Sequence, residues 1–325
     1  MANSTTLLEV KDLHKWFAVS QGLLGRKAGY VKAVNGVSFA INRGETLGVV
    51  GESGCGKSTL GRTVMRLIEP TQGQVLFNGE DYLALSDSAL RHRRREMQII
   101  FQDPYASLDP RMTVGDLIGE PLDIQKVYST RQERNNKVLE LLDIVGMNRD
   151  YVRRYAHEFS GGQRQRIGIA RALSLSPELI VCDEPVSALD VSIQAQILNL
   201  MEEIQRNLGV TYLFISHDLS VVKYVSDNVA VMYLGKIVEI APKDGLYSDS
   251  RHPYTKALLS AIPIPDTTVK RQRVMLYGDI PSPLDIPSGC CFRTRCPEAG
   301  ELCAQSEPQL IDIGNGHLCA CHLVK

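Results

Sequence analysis

Residues Glu45 to Ile68 read ETLGVVGESGCGKSTLGRTVMRLI. The stretch opens on a short apolar β-rich run, turns through glycines and continues with helical patterning. Gly51 to Thr59 fits GxxxxGK[ST], in the strand–turn–helix context that this pattern requires. Gly51, Gly54 and Gly56 free the backbone, so that N–H groups of the loop, those of Ser53 and Cys55 included, turn inward around phosphate oxygens. A helix starting near Lys57 adds the positive end of its dipole. Lys57 reaches the β and γ phosphates, Ser58 ligates Mg²⁺ and Thr59 completes the motif, so ATP and Mg²⁺ are the expected ligands.

Working outward, ELIVCDEP (178–185) and TYLFISHD (211–218) are further short β runs ending in charged residues. Their alternation with helical patterns predicts an α/β core. Asp183 stands at a strand end, aimed at the Mg²⁺ shell, and Glu184 beside it can polarise water for in-line attack on a γ-phosphate. Two hairpins are expected, around Asn78–Gly79 and Leu234–Gly235. From about 87 to 158 the texture is helical. There Val138, Leu141, Leu142 and Val145 share one face, with Ser129 or Thr130 as cap and Gly146 as terminator. The basic run RHRRRE (91–96) reads first as a solvated helix face, with a contact to lipid headgroups or to a loop of a membrane partner as the other reading.

HEFSGGQRQRIGIARAL (157–173) supplies a second anion-binding helix start, with Ser160 as N-cap before Gly161 and Gly162. Ser160-Gly161-Gly162-Gln163 resembles the ABC signature. With the phosphate loop and the Asp183–Glu184 strand, it identifies the chain as similar to ABC ATPases. That resemblance implies a P-loop NTPase core with an antiparallel β subdomain and a helical subdomain of about 87–158. It makes Gln102 in IIFQDP the Q-loop contact to Mg²⁺ and water, and Ser187 to Asp190 the D-loop. His217 becomes the switch histidine on the γ-phosphate, and Phe17, or Trp16 beside it, the adenine stacker. Glu184, His217 and the signature are intact, so hydrolysis is expected. In the family, each ATP is clamped between one P-loop and the signature of a second ATPase domain.

The ATPase domain is expected over residues 1–250, followed by a Pro-rich, then Cys-rich appendage over 251–325. SRHPYTKALLSAIPIP (250–265), LYGDIPSPLDIPSGCCFRTRCPEA (276–299), VGESGCGKSTLGR and FQDPYASLDPRMTV resemble bacterial peptide and nickel importers, most of all the oligopeptide/dipeptide permease ATPases. The implied partners are a paralogous ATPase (or a second copy), two membrane permeases and an extracytoplasmic peptide-binding protein. Alternatives are an importer for nickel or another small solute, an exporter ATPase, and a soluble ABC switch. Chromosome-type relatives carry long coiled coils between P-loop and Asp-Glu strand, and none is patterned here.

Of eight cysteines, six lie from Cys290 onward. In a reducing compartment, clustered thiols point to metal rather than disulfides. Spacing leaves zinc and iron–sulfur open. The family resemblance selects Cys290, Cys296, Cys303 and Cys321 as ligands of an iron–sulfur cluster, 4Fe–4S in type, with Cys291 and Cys319 as extras.

With 44% hydrophobic and 22% charged residues, the 325-residue chain has the composition of a soluble globular protein. The net charge of −1 implies no global attraction to nucleic acid. MANSTTLLEVKDL lacks a signal-peptide pattern and no run approaches a spanning helix. The expected location is the cytoplasmic face of the cell membrane, reached through partners.

Overall fold

A computed structural model describes residues 6–21, 26–262 and 274–324. The first five residues, and positions 263–265 at the end of SRHPYTKALLSAIPIP, lie outside the described residues. In chain order, strands β1 (Thr6–Gln21), β2 (Arg26–Asn42) and β3 (Thr46–Val50) lead into helix α1 (Lys57–Val64). Then come β4 (Gln72–Phe77), β5 (Glu80–Asp81), α2 (Asp87–Arg93) and β6 (Met97–Ile100). Helices α3 (Pro104–Ser107), α4 (Val114–Ile124), α5 (Arg131–Ile144) and α6 (Gly161–Leu173) follow. Strand β7 (Leu179–Asp183), α7 (Val191–Leu208), β8 (Thr211–Ile215) and α8 (Leu219–Val225) precede the hairpin β9 (Asn228–Tyr233) and β10 (Lys236–Pro242). The chain continues through α9 (Lys243–Ser248), α10 (Pro253–Ser260), α11 (Leu302–Gln305), β11 (Ile311–Asp312) and β12 (Leu318–Cys319).

The chain divides into two compact units. One is built chiefly from Ala84–Ile215 with Ile41–Glu45. Within it β6, β7 and β8 run parallel, with Met97 opposite Leu179 and Leu179 opposite Thr211. Every residue of β7 and β8 is buried. This is why both strands read as continuous apolar runs rather than alternating ones. Val138, Leu141 and Leu142 of α5 are buried as their spacing predicts, and Thr130, not Ser129, closes a capping box with Glu133. Beyond Val145, Gly146 takes φ 67. Strand β6 falls inside the stretch that reads as helical. Its four residues, Met-Gln-Ile-Ile, are too few to carry a period of their own.

The other unit comprises Leu8–Ala40, Thr46–Leu83 and the residues from Ser216 onward. One sheet has the order β2-β1-β4-β5, with β1/β4 and β4/β5 antiparallel. Phe77 pairs with Glu80 around Asn78 and Gly79, both at positive φ (53 and 79), which is the turn that a two-residue hairpin favours. In a second, mixed arrangement β3 runs parallel to β9, β9 pairs antiparallel with β10, and β10 with β12. The last strands of the tail are therefore bonded to the hairpin Leu234–Gly235 turns.

Candidate functional site

Strand β3 is buried throughout and delivers the chain into the loop Gly51 to Gly56. A Cβ on Gly56, at φ 108, would lie 1.9 Å from the Ala33 carbonyl oxygen, and one on Gly51 2.1 Å from that of Met232. Only glycine lets the loop pass so close to neighbouring backbone. No side chain caps α1. Around Gly56 lie exposed Ser53 and Gly54 and half-buried Ser58 and Thr59. Lys57, buried to 4% exposure, donates to the carbonyls of Gly51 (2.8 Å) and Glu52 (3.0 Å). Burial pushes the Cys55 thiol up, partly offset by Lys57. Cys55 thus serves as a small buried group.

His217 belongs to the same unit. The Ser216 N–H donates to Val49 in β3 (3.1 Å), tying the turn that carries His217 to the strand that feeds the phosphate loop. Asp218 caps α8 by accepting from Ser220 N–H at 2.7 Å, and exposed His217 stands just before that cap. On β1, Phe17 is 39% exposed under the Lys15 ammonium, 4.9 Å away. Trp16 packs edge-on against His14 at 5.4 Å and lies under Lys32.

In the other unit, β7 ends in Asp183, 1% exposed, followed by Glu184 in the left-handed region at φ 51. Gln102 Nε2 donates to the Glu184 carboxylate at 2.9 Å, and the Glu184 N–H donates to Ile215 at 2.9 Å. The following loop is fixed by Gln194, whose amide donates to Val186 and Leu189 (both 3.0 Å). Asp190 caps α7. The Ser192 hydroxyl, then the Ile193 N–H, hold its carboxyl below the usual range. Ser160 and Gln163 form a reciprocal capping box at the start of α6. Leu189 is 3.3 Å from where a Gly161 Cβ would stand, so the start of α6 and the loop before α7 meet there. Arg164 is anchored to the carbonyls of Ala156 and His157 and lies 3.6 Å over the Tyr105 ring.

The tail corrects one expectation. Among the described residues no group of three or more His, Cys, Asp or Glu side chains could hold a metal ion. The iron–sulfur cluster read onto Cys290, Cys296, Cys303 and Cys321 is therefore not supported, and neither is the zinc alternative. Burial also acts on the thiols themselves. It pushes Cys296 up to about 11, and raises Cys290 and Cys321, so thiolates are disfavoured. What holds the tail is ordinary protein bonding. Cys290 N–H donates to the Cys303 carbonyl at 2.8 Å. Glu239, fully buried, accepts from His317 at 2.7 Å and from the N–H groups of Arg251 and His252.

Three residues support the phosphate loop in a way that the sequence did not signal, Gly235 having been read only as part of a hairpin turn. Gly235 N–H donates to Cys55 O at 2.9 Å, Tyr254 Oη accepts from Glu52 N–H at 3.0 Å, and Arg295 pairs with the Glu52 carboxylate. No local pattern announces them, because each acts across a long sequence separation.

Comparison with known proteins bears on this geometry. Residues 34–187 match the ABC transporter family, and residues 238–303 match the oligopeptide/dipeptide transporter C-terminal region. The chain is 56% identical over 325 residues to the oligopeptide transport ATP-binding protein AppF of Bacillus subtilis, covering 99% of this chain and 98% of that one. The fold is similar to the ATP-binding cassette MJ0796, a dimer in a post-hydrolysis state bound to ADP and Pi. The TM-score is 0.64 at 26% identity, over 73% of this chain and 99% of that one. It is equally similar to cbiO1 of Clostridium perfringens, part of the ABC transporter complex cbiONQ, at TM-score 0.64 and 26% identity over 75% and 91% of the two chains.

Proposed function

The chain belongs to the ABC transporter family of ATP-binding proteins, and from that premise we propose that it energises bacterial uptake of di- and oligopeptides as the ATP-hydrolysing subunit of an importer. The extent of the likeness carries this reading. Identity of 56% to an oligopeptide transport protein runs through the tail as well as the ATPase motifs. Residues 238–303, which include the first part of the tail, match the peptide-transporter region.

In this reading residues 1–250 are the ATPase domain, with an antiparallel β subdomain and a helical subdomain over about 87–158, and 251–325 the importer extension. Gly51 to Thr59 take the ATP phosphates, Lys57 the β and γ groups, and Phe17 the adenine. Ser58, Gln102 and Asp183 offer hydroxyl, amide and carboxylate oxygens, the hard donors that suit Mg²⁺, which when bound neutralises phosphate charge. Glu184 polarises the attacking water, Gln102 orients that carboxylate, and His217 holds the γ-phosphate. Ser160, Gly161, Gly162, Gln163 and Asp190 serve the ATP of a second ATPase subunit, taken to be a paralogue.

Two permeases and an extracytoplasmic peptide-binding protein complete the complex, with this subunit peripheral on the cytoplasmic face. Among the described residues no helix is long and apolar enough to cross a membrane. A cavity of ≈ 200 Å³ beside Phe101, Leu108, Pro121 and Arg171, next to the Q-loop, gives a permease loop a place to dock. Closure of the ATPase pair on ATP then drives a two-state switch in the permeases.

The test is reconstitution of the chain with its permeases and paralogue in vesicles. ATP turnover should rise when peptide-loaded binding protein is added and stay low with the unloaded protein. Turnover indifferent to peptide, but raised by nickel or another solute, would replace this reading.

A further inference from the structure

We propose that Arg295, in the Cys-rich tail, is a positioning residue for nucleotide binding, holding the phosphate loop through Glu52. The proposal rests on the reading of Gly51 to Thr59 as the ATP phosphate site. Arg295 Nη1 donates to Glu52 Oε2 at 2.7 Å and Nη2 to Oε1 at 3.1 Å, a two-pronged pair across 243 positions of sequence. The Arg295 side chain is 8% exposed and that of Glu52 24%, so solvent screens the pair little.

Glu52 is the second residue of the loop, and each of its polar groups is engaged. Its N–H donates to Tyr254 Oη, its carbonyl accepts from Lys57 Nζ and its carboxylate takes Arg295. Two of these three restraints come from beyond residue 250. Both are seated in one aromatic cluster. Tyr254 lies 4.7 Å from Tyr233 and 5.3 Å from Phe292, and the Arg295 guanidinium lies over the Tyr233 ring at 5.9 Å. Phe292 is 1% exposed. The tail therefore grips the strand-to-loop corner that opens the phosphate loop. A loop fixed before binding has less freedom to lose when phosphate arrives. An Arg fork fixes direction as well as distance, which a single ammonium cannot do.

The experiment titrates MgADP into the full-length chain by calorimetry, with thermal melts in parallel, for the unaltered protein, Arg295→Met, Glu52→Gln, Arg295→Lys and the swap Glu52→Arg with Arg295→Glu. Arg295→Met and Glu52→Gln should each weaken binding on the order of tenfold to a hundredfold at temperatures where they remain folded. Arg295→Lys should recover part of the loss, and the swap should bind more tightly than either single variant's loss predicts. Glu52→Gln reads the same link should Arg295→Met prove insoluble. If the variants melt earlier yet bind MgADP within about twofold of the unaltered chain, the pair only stabilises the tail and the proposal fails. If the unaltered chain binds no MgADP at all, the ATP reading itself fails and takes the proposal with it.

Discussion

The Gln102 side-chain amide donates a 2.9 Å hydrogen bond to the carboxylate of Glu184, 82 residues away in sequence. Glu184 sits at φ 51, a left-handed backbone that a non-glycine residue adopts at a cost of about 1–2 kcal/mol. The strain is held by the N–H bond to Ile215 and by the Ser187 hydroxyl, which donates to the Glu184 carbonyl at 3.1 Å. A strained residue whose carboxylate is aimed by a partner from another loop is consistent with the role proposed for Glu184 as the water-activating carboxylate.

Replacing Glu184 by Gln keeps shape and backbone but removes the carboxylate proposed as the base. ATP turnover in the assembled complex should fall about 10²–10⁴-fold while MgATP binding stays within a few-fold of the unaltered protein. Phosphate release and calorimetry check the two halves separately. Normal turnover in this variant would assign the base elsewhere.

Gly56→Ala tests the close approach at the foot of α1. The added methyl would stand 1.9 Å from the Ala33 backbone carbonyl, at φ 108, where an L side chain is already strained. Neither atom can rotate away, so the loop has to shift. Stability should drop by about 2 kcal/mol or more and nucleotide binding should be lost. Urea unfolding and an ADP titration read the two effects. By contrast Gly54→Ala, with nothing within 4 Å of the new methyl, should cost only its positive φ.

How much of this was legible follows from the range of each interaction. The phosphate loop, the capping boxes at Thr130 and Ser160 and the turn at Asn78–Gly79 are local, and the sequence spells them out within a few residues. The buried strands β7 and β8 were equally plain, since burial on both faces leaves an unbroken apolar run. Strand β6 was not, being short and set among helices. The grip of Arg295 and Tyr254 on Glu52 could not be read at all, because nothing in either stretch encodes its partner. The cysteines misled for a related reason. Their crowding in sequence reads as ligation, whereas among the described residues the fold brings together no group of side chains that could hold a metal ion.

Ser160→Ala removes the oxygen that accepts from the Gln163 N–H at the start of α6. The helix should lose about 1 kcal/mol, read as a lower urea midpoint with an unchanged slope. Binding of MgATP to the isolated chain should be unaffected, because in the proposed reading Ser160 serves the nucleotide of a second subunit. Hydrolysis in the paired complex should fall. A loss of binding in the isolated chain would show that the signature serves its own chain's nucleotide.

His252 makes a pH prediction with a definite sign. It is buried against Phe292, and burial, with Lys256 nearby, holds its pKa down at about 3, against 6.5 for an ordinary histidine. Its Nδ1 accepts from the Tyr254 N–H at 3.1 Å, so the neutral ring also caps α10. In the unfolded chain the ring takes up a proton below about pH 6.5, and in the folded chain it does not until about pH 3. The stability it contributes is therefore complete above pH 6.5 and is lost as the pH falls toward 3, at about 1.4 kcal/mol per pH unit. His252→Asn keeps a capping oxygen but cannot titrate. The stability gap between the unaltered chain and this variant should move by about 2 kcal/mol, in the variant's favour, between pH 7 and pH 5. Urea unfolding at both pH values measures it, and parallel pH profiles for the two proteins would mean that His252 protonates in place.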